Sequence, residues 1–162
     1  MRITGYFGQH GAPCVDAKLG RRDGKEPIDV SFLIDTGAYR SLVSLREIHR
    51  LGVSVHELRR SVGSAVGFGG RTQFYFLRDV EITFETDAGP HVEFLAHVLT
   101  AIGPAPKEHR KRPPIQSLLG RDILDRYALY LDKRSGLVLL TDEVVAGVAS
   151  ASLAPLLQEE AP

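Results

Sequence analysis

The chain has 162 residues, 43% of them apolar and 25% charged, values that fit one globular domain with a real hydrophobic core. Twenty Lys and Arg balance twenty Asp and Glu, so a broad electrostatic pull towards nucleic acid or an acidic membrane is not expected. Cys14 is the one cysteine, which excludes an internal disulfide and fits a reducing compartment. The opening residues carry no apolar run of the secretory kind, and no stretch nears the roughly 18 apolar residues of a spanning helix. The expected location is the cytoplasm, with no membrane and no nucleic acid as partner.

Sixteen glycines and nine prolines punctuate short apolar runs, a pattern that predicts a mainly β chain. We expect an N-terminal segment over 1–12, one folded domain over 13–141, and a tail over 142–162 that is weakly helical or disordered. Residues 13–19 predict a strand, 20–25 a polar turn, and 28–34 the next strand. A short strand is expected at 41–44. In 45–51, Leu45, Ile48 and Leu51 recur at helical spacing, and Gly52 is a natural stop. Residues 62–66 and 72–77 flank Gly67-Phe68-Gly69-Gly70 and predict a long hairpin. Strands over 80–84 and 92–99 are joined by the turn Asp87-Ala88-Gly89-Pro90. Residues 103–114 form a polar, proline-rich, basic loop. Residues 118–127 open on Leu-Leu-Gly and continue as a short helix. Residues 128–131 and 137–140 make a last hairpin around Lys133-Arg134-Ser135-Gly136.

The informative segment is Phe32-Leu33-Ile34-Asp35-Thr36-Gly37-Ala38. A carboxylate directly after a buried strand is costly unless something holds it. Gly37 permits a tight turn there, and Thr36 offers a hydroxyl to fix the loop. Asp35 is then presented rigidly at a strand end. Far downstream, Leu118-Leu119-Gly120-Arg121 precedes a short helix, and the glycine-rich hairpin lies between the two segments.

Other candidates read as structural. His10, His49, His56, His91, His97 and His109 show no compact metal-ligand spacing, and no metal site is expected. The basic run His109-Arg110-Lys111-Arg112 lacks the interleaved aromatics of a nucleic-acid surface and reads as a solvated loop. Phe74-Tyr75-Phe76 reads as core and sheet face, and Cys14 as an inert strand residue.

On Leu33-Ile34-Asp35-Thr36-Gly37-Ala38, Gly67-Phe68-Gly69-Gly70 and Leu119-Gly120-Arg121-Asp122-Ile123-Leu124, the chain resembles the retropepsins, the retroviral proteases and their cellular and bacterial relatives. The resemblance spans about residues 13–140. It implies the acid protease fold: a closed, mainly β barrel with one or two short helices, in which each chain supplies half an active site. By resemblance, Asp35, Thr36 and Gly37 are the catalytic loop. Asp35 is the catalytic acid, Thr36 bonds across a homodimer, and Gly37 presents its carbonyl to a peptide. Ala38 and Tyr39 continue the substrate surface. Val66, Gly67, Phe68, Gly69 and Gly70 form a flap over the substrate. Leu118, Leu119, Gly120 and Arg121 brace the loop from beneath. One departure stands out. Retroviral enzymes usually carry an acid after the Ala, paired with the Arg of the Gly-Arg motif, whereas here Tyr39 occupies that place, so Arg121 needs another partner.

The physical argument agrees. Peptide hydrolysis by carboxylates needs a general base and a general acid, and one chain holds a single Asp-Thr-Gly. A two-fold homodimer supplies the second from an identical loop. The expected function is therefore an aspartic endopeptidase acting on peptides or proteins, without metal, cofactor or covalent intermediate. The rival is a non-catalytic peptide-binding or dimerisation module that retains the fold.

Overall fold

Alternation of buried and exposed side chains builds the centre of the molecule. In the computed structural model, which describes residues 1–67, 70–102 and 115–143 (backbone alone at 61–67 and 70–72), strand β3 runs Pro13–Arg21 and strand β4 Ile28–Ile34. Val15, Ala17 and Leu19 of β3 face inward, as do Val30, Phe32 and Ile34 of β4, while Asp16, Lys18, Asp29 and Ser31 face out. A period of two puts one face of each strand into the core. Phe32, Leu19, Ile48, Ile82, Phe84 and Leu119 are among the largest fully buried side chains. Each such burial contributes about 1.5–3 kcal/mol.

The remaining strands are β1 (Arg2–Thr4), β2 (Tyr6–Phe7), β5 (Arg59–Gly67), β6 (Gly70–Thr86), β7 (Gly89–Ile102), β8 (Leu118–Leu119), β9 (Ala128–Asp132) and β10 (Leu137–Thr141). β3 pairs antiparallel with β4 on one side and with β6 on the other. β6 pairs with β5 and, along its length, with β7. β4 pairs with β8 in parallel. A smaller antiparallel sheet, β1-β10-β9, is attached through the buried Ile3, Val138 and Leu140.

Residues 41–44 do not form the expected strand. They make isolated bridges instead: Leu42 pairs with Leu99 of β7 and with Leu118 of β8. Both contacts are backbone hydrogen bonds, including Leu42 N–H to the Leu118 carbonyl at 2.9 Å and Val43 N–H to the Leu99 carbonyl at 2.8 Å. Backbone pairing therefore passes from β3 through β4, β8, Leu42, β7 and β6 back to β3. The strands expected separately at 72–77 and 80–84 are one strand, β6, with a left-handed residue at Asp79 (φ 55°) that leaves the register with β7 intact. Aspartate tolerates that conformation better than most residues.

Helix α1 (Leu45–Arg50) follows the local signals. The Ser44 side chain caps it by accepting from Glu47 N–H, Ile48 and Leu51 are buried, and Gly52 takes φ +69° just beyond its end. Helix α2 (Arg121–Leu124) buries Ile123 and Leu124. Among the described residues no helix is long and apolar enough to cross a membrane. The basic loop 103–114, the tail beyond residue 143, and Phe68 and Gly69 lie outside the described residues.

A polar bracket ties β7 to the chain after α2. Glu93 is 6% exposed on β7 and is bonded by the Arg126 guanidinium and the Tyr127 hydroxyl, with His91 Nε2 at 3.4 Å. Burial first, and then the hydrogen bond to Glu93, pushes the Tyr127 phenol above its usual range. A raised phenol means that folding favours the neutral form. Its stabilising effect is complete below the unfolded value of about 10 and is lost as pH rises through the folded one. Thermal unfolding from neutral pH upward should therefore show wild type losing stability above about pH 10 more steeply than Tyr127→Phe, which cannot ionise. Parallel curves for the two proteins would contradict the bracket's role.

Candidate active site

Strand β4 ends at Ile34, which is 6% exposed, and the next residue, Asp35, is half-buried at the start of a turn. Parallel pairing of Leu33 with Leu118 and of Ile34 with Leu119 carries β4 to this point. Leu33 N–H donates to the Ser117 carbonyl at 2.9 Å, and Asp35 N–H donates to the Leu119 carbonyl at 3.0 Å. The turn closes by Ala38 N–H to the Asp35 carbonyl at 3.1 Å. Arg121 N–H then donates to the Ala38 carbonyl at 2.9 Å. The loop is held at both ends by the segment 117–121.

Asp35 is also oriented from within its own loop. Gly37 N–H donates to Asp35 Oδ1 at 2.9 Å. A backbone donor aimed at a carboxylate fixes its rotamer. A Cβ at position 37 would lie 3.2 Å from the same oxygen, tighter than side chains normally tolerate. Thr36 is exposed, and among the described residues its hydroxyl has no hydrogen-bond partner within the chain.

A second clamp lies beneath, centred on residues without an assigned part in the sequence reading. Ser41 is fully buried. Its N–H and Oγ both donate to Asp122 Oδ1, at 2.9 and 2.7 Å. The same Oγ accepts from Gly120 N–H at 3.0 Å. Ser117 Oγ, also buried, accepts from Ser44 N–H at 3.0 Å. These bonds satisfy buried polar groups where the two chain segments cross. They also explain Gly120. A Cβ there would meet the backbone of Arg40 at 2.4 Å and of Ser41 at 2.7 Å. The available signal was a hydroxyl inside the apolar run Ser41-Leu42-Val43-Ser44, together with an acid in the first turn of α2.

Arg121 finds its partner in Tyr39. Its guanidinium carbon lies 5.4 Å from the centroid of the Tyr39 ring. Arg40 lies 5.8 Å from the same ring. A cation over an aromatic face replaces the expected ion pair. Arg40 also contacts His97 Nε2 at 2.6 Å, and the His97 ring meets Phe76 edge to face. The expected hairpin forms as backbone, where Val66 pairs with Arg71 and Gly67 with Gly70. Cys14 is buried, and burial pushes its thiol up, so it is unreactive. No group of three or more metal-binding side chains occurs among the described residues.

In sequence comparison, no family model and no curated protein matches the chain. Solved structures do match. A retropepsin-like aspartic protease from Rickettsia conorii superposes with a TM-score of 0.53 at 15% identity, covering 86% of this chain and 89% of that one. This chain has the retropepsin-like fold. EIAV protease, solved in complex with an inhibitor, aligns over 74% of this chain and 90% of its own at 20% identity, with a TM-score of 0.43. Within the retropepsin-like fold, Asp35 sits at the end of β4, and Gly120 and Arg121 sit directly beneath its loop.

Proposed function

We propose that this protein is an aspartic endopeptidase that acts as a homodimer. The observation that carries the reading is the Asp35 loop. Its carboxylate is aimed by the Gly37 amide, its backbone is fastened to segment 117–121, and the neighbouring Thr36 is exposed. A fold stabilised only by packing has no need to hold a charge in this way. A second copy brings a second Asp35, and the exposed Thr36 bonds across to its counterpart's loop in the proposed dimer.

The two carboxylates share one proton, because like charges this close cannot both ionise cheaply. The ionised Asp35 removes a proton from a water, whose oxygen attacks the scissile carbonyl carbon. The protonated Asp35 gives its proton to the carbonyl oxygen, forming a neutral gem-diol. A proton then passes to the peptide nitrogen, and the carbon–nitrogen bond breaks. The peptide lies extended, with Gly37, Ala38 and Tyr39 below it and the end of the hairpin at Val66, Gly67 and Gly70 above. No cofactor enters.

Activity on a peptide library should rise faster than linearly with protein concentration and become linear once dimers predominate. Sedimentation velocity over the same range should show the monomer–dimer transition at that point. Full specific activity from a strictly monomeric protein would exclude the shared site.

A further inference from the structure

Three cationic or aromatic side chains converge just beyond the Asp35 loop. Tyr39 is 70% exposed, four residues after Asp35, with the guanidinium groups of Arg40 and Arg121 over its ring. The three share a hollow with Asp122 and Asp125. Asp122 Oδ1 is already occupied by the Ser41 N–H and hydroxyl. Among the described residues, neither Arg40 nor Arg121 lies within 4.0 Å of a carboxylate oxygen. The close polar partner of Arg40 is His97 Nε2, at 2.6 Å. Among the described residues, that contact leaves most of the five donors of Arg40 uncommitted, and the Arg121 side chain meets only an aromatic face.

Two guanidinium groups that form no salt bridge among the described residues, set against one aromatic plate beside the Asp35 loop, make a receptor for a carboxylate. Guanidinium matches carboxylate geometry with paired donors, and the Tyr39 ring holds both groups in place. We propose that Tyr39, Arg40 and Arg121 recognise an acidic side chain of the substrate, so that cleavage favours peptides carrying Glu or Asp beside the scissile bond. This inference rests on the peptidase reading. In a two-fold dimer one such receptor lies on each side of the cleaved bond.

The test uses peptide pairs that differ only by Glu or Gln, placed in turn at each position flanking one cleavage site. The readout is the ratio of kcat/KM for Glu over Gln, which does not depend on a variant's absolute rate. Wild type should favour Glu about tenfold at the best position, the scale of one charge-assisted contact. In Arg40→Gln with Arg121→Gln, the ratio should fall to near one. In Arg121→Glu, Lys peptides should overtake Glu peptides. Arg121 holds the loop through its backbone N–H, which these substitutions keep. A wild-type ratio near one at every position overturns the receptor. Failure of wild type to cleave any peptide overturns the peptidase reading instead. In that event, fluorescence anisotropy of labelled Glu and Gln peptides on Asp35→Asn decides the receptor separately: tighter Glu binding supports it and equal binding overturns it.

Discussion

Asp35→Asn is expected to lower kcat by about 10³-fold or more, the scale of removing a general base and its shared proton together. Asparagine keeps the shape of the side chain. Its carbonyl oxygen can still accept from Gly37 N–H, the contact made now at 2.9 Å. The backbone bonds to Leu119 and Arg121 do not involve the side chain at all. The fold should survive, with far-UV circular dichroism and thermal midpoint close to wild type. A mixing experiment adds a sharper reading. Excess Asp35→Asn added to wild type should suppress activity, because mixed dimers hold one carboxylate. An enzyme whose site is complete within one chain would be unaffected by the addition. A purified variant that cleaves a peptide library at the wild-type rate would remove Asp35 from the chemistry.

Gly120→Ala should be the most damaging single methyl group near the site. Its Cβ would stand 2.4 Å from the Arg40 carbonyl carbon and 2.7 Å from the Arg40 oxygen and the Ser41 nitrogen. All three are backbone atoms, so no rotamer change relieves the clash. The chain must separate where Gly120 N–H meets Ser41 Oγ, and the Asp122 contacts to Ser41 loosen with it. Overpacking of this kind costs about 3 kcal/mol. For a domain of this size that lowers the melting temperature by roughly 6–12 °C. Because Arg121 N–H holds the Ala38 carbonyl, the Asp35 loop should shift as well, and on the proposed mechanism kcat should fall in the protein that remains folded. Gly20→Ala is the matched control. It lies in β3 and would meet Pro27 Cβ at an ordinary 3.4 Å. Equal melting temperatures for the two variants would show that the crossing at Gly120 is looser than drawn.

Much of this was legible where cause and effect are close in sequence. β4 could be bounded because its alternation runs unbroken from Ile28 to Ile34 and then meets Asp-Thr-Gly. α1 was legible from Ile48 and Leu51 at helical spacing and from Gly52 at its end. β1 was not, since its three residues bury only Ile3 and form a strand because β10 pairs with them from the far end of the chain. The left-handed Asp79 read as a break in what is one strand, because local propensity does not report the uninterrupted register with β7. At the site, Asp35, Thr36 and Gly37 stood out as a motif. The clamp of Ser41 on Asp122 did not, because a buried hydroxyl in an apolar run looks like strand until its partner arrives from α2. The stacking of Arg121 on Tyr39 was foreseen only as a missing acid.

The parallel pairing of β4 with β8 also sets a timetable. About half the chain separates Asp35 from Leu119, whose carbonyl holds its amide. Contacts this distant form late, because the loop-closure entropy must be overcome before they can contribute. During synthesis from the N-terminus, β3 and β4 emerge long before β8 exists. The Asp35 carboxylate is therefore chemically present but geometrically unset for most of translation. A nascent chain cannot set the Asp35 loop until residues 117–121 have left the ribosome and closed beneath it. The proposed peptidase would thereby be kept from acting on its own unfinished neighbours.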